Sequence, residues 1–562
     1  MRPERGTCKM IKGFPSTLMD DYQLNITNMV RHTARNFPER EIVYRVAGKN
    51  YRYTYEEAYK RMMQLAKALV KLGVQPGDRV GILEWNTRRH YELYYAIPGI
   101  GAVLLQMNLR VSPLDLIYVA NHSQAKILFV DESLLSIAET IAPQLETVKK
   151  FVLLTDKKLS ETHTNLKPLY SYEELLSEEK PEYDWPEIDE TSAYSACYTS
   201  GTTGKPKGVY YSQRGIYLHT LMYTLYAGFN CHDSFLQIVP MFHAQGWGQF
   251  QCATFVGAKM IFPGRFTVED IGVLVQLMDQ ERVTITNGAP SILMPMLNHI
   301  RELKVKPDFR QTKLVCGATE PPIAMMKGWK ELTGAEFIHI YGATETSPLI
   351  TINLLKPSLV NRLSDEEKWE LKRKQGLISS GIDLNLVDPE GREIPRDGKS
   401  VGEIQIRGPW ITGSYYRDSR TKDFFVNGFW KSQDAATIDS DGYIKIVDRY
   451  KDLIKSGGEW ISSVDLENTI MAHPKVLEAA VVGLPHPKWE ERPLALVVLR
   501  KEFKNKVARE EIIAFLRPKF AKWQLPDEIK FVDEIPKTSV GKFNKKEIRN
   551  IYQEEFVRAK TE

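Results

Sequence analysis

The most informative segment of this chain is Tyr198-Thr-Ser-Gly-Thr-Thr-Gly-Lys-Pro-Lys-Gly208, which starts at the end of the apolar run AYSACY (193–198). Its three glycines allow close backbone approach, its four small hydroxyl side chains offer hydrogen bonds, and its two lysines add positive charge. A Walker A loop is excluded, because Pro206 and Val209 stand where that motif needs its second glycine. The stretch therefore predicts a phosphate-binding loop of another kind, with a flexible surface loop as the alternative.

The composition around this stretch is that of a large soluble globular protein. Of 562 residues, 43% are hydrophobic and 26% are charged, and 75 Lys and Arg against 71 Asp and Glu give a net charge of +4. A chain of this size buries extensive cores without disulfides or structural metals. The charge is too small for the dense basic face of a nucleic-acid binder, so we expect no nucleic-acid partner.

The cysteine pattern, the N-terminal residues and the apolar stretches indicate the cellular compartment and the relation to membranes. The five cysteines include no CxxC pair and predict reduced thiols in a cytoplasmic protein; they are Cys8, Cys197, Cys231, Cys252 and Cys316. The first 21 residues lack the apolar core of a signal peptide. The most apolar stretch, 94–107, is broken by proline and glycine and is too short to span a bilayer. We expect no transmembrane span, and peripheral membrane contact stays open.

Helical and strand-like patterns alternate along most of the chain. Thr54 followed by Glu57 matches a capping box, and apolar residues recur at helical spacing from there until Gly73. Short β-rich runs follow: RVGIL (79–83), KILFV (126–130), FVLL (151–154), VTIT (283–286), KLVC (313–316) and EFIHI (336–340). Such alternation predicts α/β layers with partly parallel sheets.

The pattern changes after Gly381 to closely spaced strand candidates separated by glycine turns, which predicts a small β-rich subdomain. The charged segment from Asp448 to Leu453 then precedes Lys455-Ser-Gly-Gly458 and a new alternating α/β stretch. Because charge and paired glycines favour an exposed hinge, the main domain boundary is predicted at 448–453.

Four motifs together resemble a known superfamily. They are YTSGTTGKPKG, YGATET (341–346), YKDLIKSGGEW (450–460) and PKTSVGK (536–542), and they stand in the order and approximate spacing of the acyl-adenylate-forming enzymes. The chain is most similar to the fatty acyl-CoA synthetase branch in four further segments: PMFHAQGW (240–247), GPWITGSYY (408–416), KSGGEWISSVDLEN (455–468) and FAKWQLPDE (520–528). The resemblance covers essentially the whole chain.

The resemblance implies an α/β fold with a large N-terminal region of two α/β subdomains plus a small β-barrel, hinged to a small mobile α+β C-terminal domain. The implied boundaries are 1–447 for the AMP-binding region, 448–453 for the linker and 454–562 for the C-terminal domain. It also implies a homodimer. The implied reaction couples a fatty acid to CoA: the carboxylate attacks ATP to give acyl-AMP and pyrophosphate, and the CoA thiolate then displaces AMP.

Residue roles follow from the same resemblance. The first motif would hold the β- and γ-phosphates of ATP through Thr199, Ser200, Gly201, Thr202, Thr203, Gly204 and Lys207. Glu345 would ligate Mg²⁺, with Thr199 as a second metal-associated position, because a hard cation takes oxygen ligands. Asp434 would accept hydrogen bonds from the ribose hydroxyls.

The base and the reacting groups have their own implied residues. Tyr341 would stack on adenine, Gly317 would admit the base, and Thr344 would bond to the α-phosphate. Further nucleotide-binding positions are His339, Ile340, Lys451, Lys455 and Trp460. Lys542 matches the catalytic lysine that bridges the attacking carboxylate and the α-phosphate, acting with Glu345 and Thr344.

The resemblance implies that two other segments contact the acid and serve thioester formation with CoA. His243, Ala244 and Trp247 would line the fatty-acid tunnel, with Trp247 in the position of a gate, since such pockets are predominantly aromatic and apolar. Ser456, Gly457 and Gly458 would swing in for thioester formation.

Two departures and several alternatives remain open. Ser432-Gln433-Asp434 stands where Thr-Gly-Asp is common, and Glu320 stands where relatives commonly have no acid, so its role is undetermined. The alternative substrate is a short, branched, sulfur-containing or aryl acid. A non-catalytic adenylate-binding protein is a further alternative, against which the joint presence of Glu345, Asp434 and Lys542 counts.

Overall fold

The computed structural model describes residues 11–199, 205–267, 269–450, 452–457, 459–504, 506–537 and 543–558. The helices are α1 Ile26–Asn36, α2 Tyr55–Lys71, α3 Arg88–Gly99, α4 Pro113–Ser123, α5 Leu135–Ile141, α6 Tyr172–Ser177, α7 Gln213–Ala227, α8 Gln249–Val256, α9 Gly272–Gln280, α10 Pro290–Glu302, α11 Ile323–Thr333, α12 Pro357–Val360, α13 Asp365–Arg373, α14 Ser463–Met471, α15 Arg509–Leu516 and α16 Lys545–Arg558.

The strands fall into four sheets. In chain order they are β1 Glu41–Val46, β2 Lys49–Thr54, β3 Arg79–Leu83, β4 Val103–Gln106, β5 Ala125–Asp131, β6 Lys150–Leu154, β7 Leu169–Ser171, β8 Ala193–Thr199, β9 Lys207–Ser212, β10 Ser234–Leu236, β11 Lys259–Phe262, β12 Ile285–Gly288, β13 Lys313–Cys316, β14 Glu336–Gly342, β15 Leu349–Ile352, β16 Leu377–Ile378, β17 Asp383–Val387, β18 Gly402–Arg407, β19 Phe425–Val426, β20 Phe429–Ile438, β21 Ile444–Arg449, β22 Ile454–Ser456, β23 Glu459–Ile461, β24 Val476–His486, β25 Glu490–Leu499 and β26 Glu528–Phe531.

Helix α2 shows how local sequence sets an element. The Thr54 hydroxyl accepts from the Glu57 amide, and the Glu57 carboxylate accepts from the Thr54 amide, which completes the predicted capping box. Its buried face includes Ala58, Met62, Leu65 and Leu69, spaced three or four residues apart. The predicted stop at Gly73 is confirmed by a φ of +84°, which glycine adopts without strain.

Two large sheets form the N-terminal region. The first has the order β7-β6-β5-β3-β4-β8-β9 and is parallel except for its last pair, and the second has the order β16-β15-β14-β13-β12-β10-β11-β1-β2. Strands β10 to β14 run parallel, so their carboxyl ends meet along one edge of the second sheet. The predicted partly parallel α/β layers are confirmed, although β12 begins at Ile285, two residues later than the predicted run VTIT (283–286).

The β-rich segment after Gly381 forms the third sheet. Strand β20 is central, pairing with β18, β19 and β21, and β17 lies at the edge beside β18. All these pairs are antiparallel. No pairing between β17 and β21 is found in the described residues, so the implied small barrel is present as an open five-stranded sheet by its hydrogen bonds.

The C-terminal domain, by which we mean residues from Ile454 onward, has the fourth sheet with the order β23-β22-β25-β24 and β26 beside β25. Helices α14 and α16 pack on β24. A smaller α+β unit thus follows the large α/β region, as predicted.

The predicted linker is less exposed than its sequence suggested. Asp448, the last residue but one of β21, is 3% exposed and accepts a 3.2 Å hydrogen bond from the Ser463 amide. Asp452 is 7% exposed and pairs with Arg549 at 2.6 Å. The prediction of a solvent-exposed hinge is wrong for these two carboxylates, because they are buried against hydrogen-bonding and charged partners in the C-terminal domain.

The cysteine and membrane predictions can be compared with the described residues. Cys197, Cys231, Cys252 and Cys316 are free thiols. Among the helices that the structure describes, none combines the length and hydropathy needed to cross a membrane.

Three buried histidines predict that the protein loses stability in mild acid. Burial lowers the pKa of His90 and His339 to about 4 and that of His219 to about 3. Each ring is therefore neutral in the folded chain and takes up a proton on unfolding below about pH 6.5. The stabilisation is complete above pH 6.5 and is lost as the pH falls toward 4, by up to about 3 kcal/mol for each histidine.

The variant His90→Phe tests this pH dependence. Phenylalanine can keep the stacking on Tyr94, whose ring centroid lies 5.1 Å away, but cannot take a proton. We expect the urea midpoint of the variant to fall less between pH 7 and pH 4.5 than that of the unchanged protein. Parallel losses in the two proteins would show that His90 does not contribute.

Candidate active site

A cavity of about 360 Å³ lies where the large sheets, the third sheet and the C-terminal domain meet. Gly288, Gly317 and Gly342 mark the carboxyl ends of β12, β13 and β14 on its wall. In open α/β sheets, ligands bind outside the carboxyl ends of the parallel strands. The third sheet adds residues 431–433 and Arg449, and the C-terminal domain adds Phe543, Asn544, Lys545 and Lys546.

One end of the cavity holds oxygen ligands beside a partly buried cation. Thr199 ends β8, Lys207 starts the antiparallel partner β9, and Glu345 follows β14. The Glu345 carboxylate is 7% exposed and accepts a 2.7 Å hydrogen bond from the Tyr415 hydroxyl. Burial lowers the pKa of the Lys207 ammonium, while the nearby Glu345 carboxylate acts in the opposite direction. This end is suited to bind a phosphate chain.

The same end fits a magnesium ion by the chemistry of its donors. The Thr199 hydroxyl oxygen is buried, and among the described residues it has no hydrogen-bond partner. The described chain contains no cluster of three or more His, Cys, Asp or Glu side chains arranged for a metal. One carboxylate, one hydroxyl and substrate phosphates are a donor set that Mg²⁺ accepts. Glu345 and Thr199 are the residues that would hold it.

Asp434 is fixed by two partners beside the cavity. Its Oδ2 accepts a 2.5 Å hydrogen bond from the Tyr341 hydroxyl, and its Oδ1 pairs with Arg449 Nε at 2.8 Å. Gln433 holds a φ of +61°, the left-handed conformation that glycine adopts most easily. The departure to Ser432-Gln433 therefore leaves the backbone in a glycine-like turn, and the carboxylate stays positioned for hydroxyl groups.

The predicted base-side residues divide into two sets. Gly317, Ile340 and Thr344 line the cavity. A Cβ on Gly317 would stand 3.0 Å from Ile340 Cγ1 and 3.5 Å from Trp247 Cη2, so glycine is what allows these three residues to meet. The His339 side chain faces away, its Nδ1 lying 2.7 Å from the Arg373 carbonyl oxygen, because neighbouring residues of a strand point to opposite faces.

The other end of the cavity is apolar and aromatic. His243, Ala244 and Trp247 line it together with Phe242 and Phe266. Ala244, Gln245 and Trp247 have φ of 37°, 52° and 60°, a left-handed run that costs non-glycine residues of the order of 1–3 kcal/mol each. Such strain concentrates at functional sites. The predicted gate residue Trp247 is thus presented on a strained turn.

A layer of buried amides lies next to the Trp247 turn. Gln106, Gln245, Gln249 and Gln251 are each at most 2% exposed. Three of them are joined by long hydrogen bonds: the backbone N–H of Gln245 donates to Gln106 Oε1 at 3.3 Å, and Gln251 Nε2 donates to Gln245 Oε1 at 3.4 Å. In the described part of the chain, one side-chain amide atom of each of the four has no partner. This layer is polar, unlike the aromatic wall.

The C-terminal domain reaches the cavity through the start of α16. Lys545 Nζ pairs with Glu467 at 3.0 Å and lies 3.7 Å from Asp448. Burial raises the pKa of the Glu467 carboxyl to about 7, and Lys545 counteracts the rise. These contacts fix the residues directly after Lys542 against the cavity.

Several predicted residues lie away from the cavity. Lys455 pairs with Glu490 at 3.1 Å, and the Trp460 ring lies 6.3 Å from that of Tyr450. The Ser456 hydroxyl accepts a 2.9 Å hydrogen bond from Arg492. Lys455, Ser456, Gly457 and Trp460 are therefore not brought to this site. The positions outside the described residues are Ser200, Gly201, Thr202, Thr203, Gly204, Lys451, Gly458 and Lys542.

Sequence reasoning missed two residues that shape the site. Arg449 holds Asp434 and lines the cavity, and Tyr415 holds Glu345. Both lie in segments that the sequence analysis names, Arg449 in the charged segment 448–453 and Tyr415 in GPWITGSYY (408–416). Their positions in the sequence do not indicate which carboxylate each would contact.

Two protein families match this chain. The AMP-binding enzyme family matches residues 30–416, and the AMP-binding enzyme C-terminal domain family matches residues 465–542. Individual proteins match over nearly the whole length.

A long-chain-fatty-acid CoA ligase of Thermus thermophilus is 44% identical over 549 residues, covering 97% of this chain and 98% of the relative. A 3-methylmercaptopropionyl-CoA ligase of Ruegeria lacuscaerulensis is 39% identical over 535 residues, covering 94% of this chain and 98% of the relative. The crystal structure of an anthranilate CoA ligase with anthranoyl-AMP has the same fold, with a TM-score of 0.81 at 24% identity, covering 96% of this chain and 99% of that one.

Proposed function

Because this chain belongs to the AMP-binding enzyme family, we propose that it is an ATP-dependent fatty acid:CoA ligase that acts through an acyl-adenylate. The resemblance to the acyl-adenylate-forming superfamily is confirmed by these matches. One observation carries the proposal: a single cavity joins a phosphate-type end at Thr199 and Glu345 to an apolar end at Trp247.

The two half-reactions place different demands on this cavity. In the first, a carboxylate oxygen attacks the α-phosphorus of ATP, the bond to the β-phosphate breaks, and pyrophosphate leaves. In the second, the CoA thiolate attacks the acyl carbonyl, and AMP departs. The first step replaces oxide, a poor leaving group on the carboxyl carbon, with AMP, a good one. The second step therefore proceeds without further activation.

The phosphate end supplies charge where the first half-reaction needs it. The Lys207 ammonium offsets the negative charge that builds up as pyrophosphate leaves. Asp434, set by Tyr341 and Arg449, accepts hydrogen bonds from the ribose hydroxyls and fixes the nucleotide. When bound at Glu345 and Thr199, Mg²⁺ would neutralise phosphate charge.

The C-terminal domain completes the site in the proposal. Residues 543–546 line the cavity, which supports Lys542 reaching the α-phosphate from the same side. Ser456 and Gly457 lie outside the cavity, which supports a second orientation for thioester formation, with residues 448–453 as the linker. Boundaries at 447 and 454 follow from this assignment.

The acid substrate is proposed to be a fatty acid, bound with its carboxylate toward Thr344 and its chain toward Trp247. The aromatic wall around Phe242 and Phe266 supports an apolar chain. The named activity of the Thermus relative, at 44% identity, supports the same substrate class.

A short, branched, sulfur-containing or aryl acid is the second candidate substrate. The named activity of the Ruegeria relative, a 3-methylmercaptopropionyl-CoA ligase at 39% identity, supports it. The rate of pyrophosphate release over straight-chain acids of rising length, beside sulfur-containing and aryl acids, separates the two. An optimum at long chains supports a fatty acid, and one at short or substituted acids supports the alternative.

Replacing Trp247 with alanine is expected to change acid selectivity. If the indole closes the acyl end, its removal should move the chain-length optimum upward and change the KM for the acid more than that for ATP. Each buried CH₂ is worth about 0.8 kcal/mol, so preference should rise roughly fourfold per methylene until the pocket is full. The measurement is kcat/KM across the acid series.

The exposed tryptophan Trp523 gives the matched control, since its side chain lies on the surface of the C-terminal domain. Trp523→Ala should leave the acid profile unchanged. An unchanged profile in Trp247→Ala as well would remove this residue from the acyl pocket.

A cytoplasmic homodimer completes the proposal. Free cysteines are consistent with a reducing compartment. Ile11, Phe14, Leu18 and Met19 are each more than 80% exposed, which supports burial of this segment against a second copy. Light scattering of the full chain and of a variant with these four residues made polar tests the dimer, and a monomer in both would contradict it.

A further inference from the structure

One buried carboxylate joins the N-terminal region to the C-terminal domain. Glu320 lies in the loop between β13 and α11, three residues after Gly317, and its side chain is 2% exposed. Its Oε1 accepts a 2.7 Å hydrogen bond from Arg373 Nε and a 2.9 Å hydrogen bond from Asn468 Nδ2. Because Arg373 ends α13 and Asn468 belongs to α14, this oxygen is bonded from both sides of the domain boundary.

A second ion pair supports the same junction. Asp465 stands one turn before Asn468 on α14 and accepts hydrogen bonds of 2.9 and 3.0 Å from Lys445 in β21. It also lies 3.3 Å from an Arg373 terminal nitrogen. Residues three apart share one face of a helix, so α14 presents Asp465 and Asn468 together to the N-terminal region.

The position of Glu320 makes its partners energetically important. Burial raises the pKa of the Glu320 carboxyl, and Arg373 counteracts the rise. Among the described residues, its Oε2 has no hydrogen-bond partner. A buried acceptor that loses a donor is costly, and a hydrogen bond to a charged group is worth more than one between neutral groups. Separation of α14 from this loop would remove the bond from Asn468 while Arg373 stays.

The same loop also forms part of the cavity wall. Gly317 and Ala318 line the cavity on one side, and residues 543–546 line it from the C-terminal domain. The bond between Glu320 and Asn468 is thus present in the domain orientation that brings the segment after Lys542 to the cavity.

We propose that Glu320 is a positioning residue that holds the C-terminal domain, through Asn468, in the orientation that forms the acyl-adenylate. This role rests on the proposed function. The hydrogen bond between Glu320 and Asn468 would favour the domain orientation used for adenylate formation over the one used for thioester formation. Glu320 is not among the residues that line the cavity and acts through the position of α14.

Single-turnover assays of the two half-reactions in Asn468→Ala and Glu320→Ala test this role. We expect adenylate formation to slow by about tenfold in each, the size expected for one hydrogen bond to a charged group. Thioester formation from supplied acyl-AMP should keep its rate or increase. The double variant should form the adenylate at nearly the same rate as either single variant, because both changes remove the same hydrogen bond.

Glu370→Ala is the matched control. Glu370 pairs with the same Arg373 at 2.8 Å, but it is exposed and lies on the same helix, so its loss leaves the domain junction intact. Its two half-reactions should match those of the unchanged protein. Equal losses of both half-reactions in Asn468→Ala, or no loss in either, would overturn the proposal.

A distance measurement separates this proposal from the proposed function. Two fluorescent dyes, one on each side of the linker, report the domain orientation without any turnover. We expect Asn468→Ala to shift the population away from the orientation described here. An unshifted population overturns the role of Glu320 even if the enzyme is active, whereas failure to release pyrophosphate with any acid concerns the proposed function alone.

Discussion

Replacing Lys542 with alanine is expected to slow adenylate formation by about 10² to 10³, the loss seen when one preorganised stabilising group is removed. A lysine at this position would meet the attacking carboxylate and the α-phosphate, where negative charge accumulates. Residues 543–546, which follow this position directly in the chain, line the cavity. Thioester formation from supplied acyl-AMP should survive, since it does not need this charge.

Lys537→Ala is the control for this result. Lys537 belongs to the same segment, but its ammonium pairs with Glu478 at 2.7 Å. Its removal should leave both half-reactions near their original rates. If Lys542→Ala slowed both half-reactions equally in single-turnover assays, the alternation of the C-terminal domain between two tasks would be contradicted.

Replacing Glu345 with glutamine is expected to lower the overall rate by about 100-fold or more and to raise the magnesium concentration needed for half-maximal activity. Glutamine keeps the shape of the side chain and its bond to Tyr415, so the change isolates the lost charge. Magnesium titrations of activity and of ATP binding by calorimetry measure the effect.

Tyr415→Phe serves as the comparison for Glu345. It removes the 2.7 Å hydrogen bond to the carboxylate but leaves the charge in place. Its effect should be smaller than that of Glu345→Gln, because a positioning partner is lost and the ligand is kept. An unchanged magnesium titration in Glu345→Gln would show that Glu345 does not bind the magnesium ion.

The sequence was sufficient for the elements that depend on local chemistry. The capping box at Thr54, the stop at Gly73 and the strands around 79–83 and 313–316 follow from side-chain spacing alone. The cavity residues Thr199, Lys207 and Glu345 were also found, because their motifs resemble those of the acyl-adenylate-forming enzymes.

The parts that could not be predicted depend on contacts between distant segments. Strands β1 and β2 join the second sheet through β11, more than 200 positions along the chain, and no local pattern specifies that pairing. Asp448 was expected to be exposed because it is charged, but Ser463 and Lys545 make its burial favourable. Glu320 had no predicted role, since its partners Arg373 and Asn468 lie 53 and 148 residues away.

The most direct test of the central claim is to identify the products formed from ATP with and without a carboxylic acid and CoA. We expect pyrophosphate only when an acid is present, with the AMP retained as acyl-AMP until CoA is added, and then one AMP and one acyl-CoA for each pyrophosphate. ADP and inorganic phosphate as products, or pyrophosphate release that does not depend on the acid, would contradict it.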